Sequence, residues 1–90
     1  MAENAPYRRN PDVSWRTIEG QAVLILNREG EVQVLNEVGT YVWEHLELSP
    51  DEMARNIASE YDVPGEEAHG DVVRFIEELK ASGAIQEGNG

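Results

Sequence analysis

Ninety residues suffice for one small domain with a single core, and not for a large enclosed pocket. Eighteen acidic residues face seven basic ones, for a formal net charge of −11. Nucleic acid and anionic membrane surfaces, which call for a Lys/Arg face, are therefore poor partners, and a basic protein or peptide is a better one. The chain has no cysteine, so disulfides, thiolate metal sites and cysteine nucleophiles are excluded together. No apolar run is long enough to span a bilayer and the start lacks a signal-peptide pattern, so a cytoplasmic location is expected.

Residues 1–10 are polar and without periodicity, and read as a flexible arm before a single domain over 11–86, with 87–90 as a tail. Val13, Trp15 and Thr17 alternate with Ser14 and Arg16, the pattern of a half-buried strand. Glu19-Gly20 signals a turn, and Ala22 to Leu26 is a continuous apolar run, as in a middle strand covered on both faces. Asn27 to Gly30 makes the next turn, and Glu31-Val32-Gln33-Val34 alternates again. The expected result is an antiparallel meander whose third strand is an edge.

Asn36 then suits the N-cap of a first helix over Val38 to Leu46. Glu37, Thr40, Glu44 and Glu47 occupy its polar arc; Val38, Tyr41, Val42, Trp43, His45 and Leu46 form a wide apolar one. Ser49-Pro50-Asp51-Glu52 places an N-cap, a proline at the first helical position and a capping-box glutamate in register, starting a second helix that stops near Tyr61. Ala68, Val72, Phe75, Ile76 and Leu79 mark a third, closed by Gly83. Ile85 is expected to tuck back against its last turn. Three strands followed by three helices describe an α+β fold, with helices on one face of a small sheet.

Few residues invite a catalytic reading. His45 sits in an apolar arc with no acid or base partner at helical spacing, so it reads as a core histidine. Glu66, Glu67, His69 and Asp71 lack the spacing of a helical zinc site or a hard-cation loop, and read as a solvated helix start. Gly39 and Trp43 share one side of the first helix, where the glycine permits close approach of a neighbour. No nucleophile elbow or phosphate loop is present, so neither an enzyme nor a cofactor or metal site is expected.

Leu35-Asn36-Glu37-Val38-Gly39-Thr40-Tyr41-Val42-Trp43 follows an apolar strand. After it come Ser49-Pro50-Asp51-Glu52-Met53-Ala54, Tyr61 and Asp71-Val72-Val73-Arg74-Phe75-Ile76-Glu77-Glu78-Leu79. In that order these segments resemble the PqqD-like family, also called RiPP recognition elements, over Val13 to about Ile85. The resemblance implies a winged-helix-like, non-enzymatic fold that binds the leader of a ribosomally made precursor peptide. It also implies presentation of that peptide to a modifying enzyme, often a radical SAM protein. In such domains the peptide adds as a strand beside the third strand, in a cleft closed by the third helix. Carried over by position, the peptide-binding residues are Val32, Gln33, Val34 and Leu35 of the strand, with Val73, Ile76, Glu77 and Lys80 of the helix.

Two other readings fit the same elements. One is a DNA-binding winged helix, opposed by the excess of acid on the third helix. The other is a structural module that pairs its open edge with a second copy. A free edge of this kind corresponds to a monomer or a weak homodimer.

Overall fold

A computed structural model describes residues 6–26 and 30–87. The strands are β1 (Tyr7–Arg9), β2 (Ser14–Ile18), β3 (Gln21–Ile25), β4 (Val32–Val34) and β5 (Ile85–Glu87); the helices are α1 (Glu37–Glu44), α2 (Pro50–Tyr61) and α3 (Gly65–Ser82). The expected α+β architecture is present: β2, β3 and β4 form a three-stranded antiparallel sheet in that order, followed by the three helices. Two residues turn β2 into β3, Glu19 at φ 53° and Gly20 at φ 82°. Consecutive positive φ angles match the right-handed twist of the flanking strands, and glycine adopts them without a Cβ penalty.

A second sheet was not foreseen. Tyr7 to Arg9, expected within a loose arm, pair antiparallel with Ile85 to Glu87, placed there partly as tail. Asn10 extends the join, its N–H donating to the Ala84 carbonyl at 2.8 Å and its Nδ2 to the Gly83 carbonyl at 2.9 Å. Three polar residues carry no periodic signal of their own; the pairing is long-range and is made by backbone groups. Arg9 adds an anchor: Nε and Nη2 donate to the Trp43 carbonyl at 3.2 and 2.8 Å, and the guanidinium covers the Trp15 and Trp43 rings. That carbonyl is among the last of α1, which has no intrahelical partner to offer it. Residues 1–5 of the expected arm, residues 88–90 of the expected tail and the turn residues 27–29 lie outside the described residues.

The helix boundaries follow local chemistry. Asn36 Oδ1 accepts from the Gly39 N–H at 2.9 Å. Ser49 and Glu52 exchange the two bonds of the capping box, both 3.1 Å. Gly83 closes α3 at φ 84°. The first helix is shorter than the sequence pattern suggests. His45 leaves it as the C-cap, half-buried, stacked on Tyr41 with ring centroids 4.2 Å apart. It is not a core histidine.

Val42, Trp43, Leu24, Leu35, Met53, Ile57, Val72 and Leu79 form the fully buried heart of one continuous core. Gly39 lets α3 approach α1: a Cβ built there falls 2.7 Å from Phe75 Cε1. Thr40, assigned to the polar arc, is instead buried. Its hydroxyl accepts from the Ala22 N–H at 2.9 Å and donates to the Leu35 carbonyl at 3.3 Å. One side chain thus ties the ends of β3 and β4 to the helix.

Candidate functional site

Among the described residues no strand pairs with the outer edge of β4. Its register is Val23 opposite Val34, Leu24 opposite Gln33 and Ile25 opposite Val32. Just beyond either end, the Leu35 N–H donates to the Ala22 carbonyl at 2.9 Å and the Leu26 N–H to the Glu31 carbonyl at 2.8 Å. Hydrogen-bonded pairs alternate in an antiparallel ladder, so Gln33 and Leu24 form the pair between these two. The backbone groups of Gln33 therefore point into the sheet, while the N–H and C=O of Val32 and Val34 point out of it. Two donors and two acceptors stand along the free edge, at the spacing an added strand requires.

Nothing in β4 blunts this edge. Protein sheets usually protect an edge with charge, proline or a covering element. The opposite edge, β2, carries Arg16 and has Arg9 stacked on Trp15 at 4.8 Å. The Val-Gln-Val of β4 carries neither charge nor proline, and both valine side chains are exposed. An unprotected apolar edge is suited to pairing.

The eight candidate residues divide by position. Val32 and Val34 are exposed on the face of the sheet away from α1. Gln33 is half-buried on the other face, its Oε1 buried and without a hydrogen-bond partner among the described residues. Leu35 and Ile76 belong to the core and can shape a groove only from beneath. Val73 is 38% exposed and Glu77 is exposed on the same side of α3. Lys80 is committed elsewhere: its Nζ lies 3.0 Å from Glu87 Oε2 and over the Tyr7 ring. The Glu87 carboxylate raises its pKa, through a hydrogen bond and by charge. The link between strand and helix runs through α1, which starts three residues after β4 and meets the Phe75 ring of α3 at Gly39.

Thr40 and Arg9 escaped the sequence reading as positioning residues. A threonine on a nominally polar arc and an arginine in a polar arm carry no signal until the sheet register is known. His69 Nε2 lies 3.2 Å from Asp51 Oδ1, across a hollow of about 300 Å³ between α2 and α3. Among the described residues no three His, Cys, Asp or Glu side chains gather as metal ligands, and no helix is long and apolar enough to cross a membrane.

Comparison with known proteins gives a consistent picture. The family model described as coenzyme PQQ synthesis protein D matches residues 21–85. No curated protein matches the chain. Among solved structures, a lasso peptide synthetase B1 complexed with the leader peptide is similar at a TM-score of 0.81 and 28% identity, over 91% of this chain and 99% of that one. TbiB1 in complex with the TbiA(β) leader peptide is similar at 0.78 and 25% identity, over 88% and 94%.

Proposed function

This chain belongs to the PqqD family, and on that premise we propose that it is a non-catalytic adaptor. It binds the leader of a ribosomally made precursor peptide and holds it for a modifying enzyme. The observation that carries the reading is the β4 edge: four outward backbone groups on an uncharged strand, in a fold similar to two solved structures that are each complexed with a leader peptide. The leader adds antiparallel or parallel to Val32 and Val34 through main-chain bonds, which give affinity without reading sequence. Selectivity comes from alternate side chains. Those facing inward meet Gln33 and the exposed side of α3 at Val73 and Glu77. With the net charge of −11, this groove favours a leader with basic residues beside its apolar ones. One of the two complexes is named for lasso peptide assembly, so the enzyme served is defined by its action on the bound peptide; radical SAM chemistry, implied by the resemblance, is one form it takes.

The test is titration of the fluorescein-labelled leader half of the precursor encoded beside this chain, followed by anisotropy. Saturable binding to the wild type, weakened by proline at Val34, is the expected result. Absence of saturation at high micromolar protein would remove the reading. The DNA-binding alternative loses its footing on α3, where Glu66, Glu67, Glu77 and Glu78 are all exposed against Arg74 and Lys80.

A further inference from the structure

The second strand does not behave as its sequence suggests. Ala22 to Leu26 reads as a strand covered on both faces, yet among the described residues only one face of β3 is fully covered. Ala22 and Leu24 are fully buried, whereas Ile25 is 44% exposed. The register places Ile18, Val23, Ile25, Val32 and Val34 together on the face away from α1, with Arg16 among them. Ile18, Val32 and Val34 are 50%, 55% and 58% exposed. Four of the seven large hydrophobic residues exposed among the described residues thus share one sheet face. A contiguous patch of this kind marks an interaction surface.

We infer that this outer face docks the enzyme that processes the bound peptide, and that the peptide itself completes the surface. The inference rests on the leader-binding reading. Arg16, Val23 and Val34 lie in one row across the three strands, and Ser14, Ile25 and Val32 in the next. A strand added beside Val32 and Val34 continues those rows, because successive side chains alternate between faces. Every second leader residue then joins the apolar patch, about 5 Å beyond β4. An enzyme resting there touches adaptor and substrate at once, and the peptide's core emerges at the edge of that contact.

The occupant has a definable chemistry. It presents an apolar patch with an acceptor for Arg16, which has no ion-pair partner among the described residues. Its wider surface is basic, to match the net charge of −11. A second copy of this chain fits poorly: each copy carries the same −11, and a two-fold contact through this face would also bring two Arg16 side chains towards each other.

The test separates the two levels of the argument. Ile18→Glu/Ile25→Glu places charge on the outer face from β2 and β3 and keeps every outward backbone donor and acceptor of β4. Leader affinity is measured by anisotropy, and affinity of the leader-saturated adaptor for the enzyme encoded beside the precursor is measured by biolayer interferometry. The expected result is leader affinity within twofold of wild type and enzyme affinity reduced at least tenfold. Leader binding with enzyme affinity also within twofold would overturn the inference and leave the leader reading intact. A wild-type chain that binds no leader would remove both. Should the double variant unfold, ¹⁵N-labelled wild-type adaptor gives the answer. Enzyme-induced broadening at the amides of Ile18, Val23 and Ile25 supports this face; broadening confined to α2 and α3, or a dimer of the adaptor alone through it, overturns the assignment.

Discussion

Replacing Val34 by proline isolates the contribution of one edge amide. The Val34 N–H points away from β3, so its loss leaves the β3–β4 ladder unbroken, and proline is tolerated in an edge strand where its missing donor faces solvent. What is lost is one donor to an added strand. A net hydrogen bond contributes about 0.5–1.5 kcal/mol, equivalent to roughly two- to thirteenfold in affinity. Val34→Ala is the control: it trims the same side chain but keeps the donor. The expected order of leader affinity by anisotropy is wild type, then Val34→Ala, then Val34→Pro, the last weaker than alanine by that two- to thirteenfold step. Gln33→Pro should behave differently. Its N–H belongs to the ladder, and removal leaves an acceptor of buried Leu24 unpaired, at a cost of about 1–3 kcal/mol in stability. Thermal unfolding should therefore separate the two proline variants. Equal leader affinity for Val34→Pro and Val34→Ala would refute the outward direction of this amide or the use of the edge.

Other substitutions probe the scaffold that holds the edge. Gly39→Ala gains helix propensity of about 1 kcal/mol but forces a methyl against Phe75, and overpacking costs about 1–3 kcal/mol, so a net loss of stability is expected; Phe75→Leu in the same chain should restore part of it. Thr40→Val leaves the buried Ala22 N–H unpaired and should destabilise by about 1–3 kcal/mol in urea unfolding. At alkaline pH, burial and then the Glu37 and Glu60 carboxylates raise the pKa of Tyr61 above its ordinary 10.0. The folded state thus holds this proton more tightly than the unfolded chain. The associated stability is present below pH 10.0 and lost as pH rises through the folded value. Tyr61→Phe should accordingly shift the alkaline unfolding midpoint upward.

Much of the fold was legible because its signals are local. The capping box at Ser49 and Glu52, the Asn36 cap and the Gly83 stop each depend on residues within one turn of each other. Gly39 was readable as a close approach, although its partner, Phe75, was not. The failures share a different cause. Tyr7 to Arg9 become a strand only because residues 85–87 return to meet them. Thr40 is buried only because Ala22 needs an acceptor at the point where β3 runs out of ladder. The run Ala22 to Leu26 has no alternation to show that one face stays open, since an interaction face and a core face are both apolar. The candidate strand could be read from the sequence, but not the division within it. Which of Val32, Gln33 and Val34 offers its backbone to a partner depends on pairing parity, which a single register shift would reverse. Leu35 and Ile76 illustrate the same limit: position in a motif marked them, and burial removed their side chains from the surface.

Amide hydrogen exchange along β4 tests the central claim most directly. In the free protein Val32 and Val34 should exchange fast and Gln33 slowly, because only Gln33 donates within the sheet. Saturation with the leader peptide should protect Val32 and Val34 and leave Gln33 nearly unchanged. Protection of neither valine under saturating peptide would contradict strand addition at this edge.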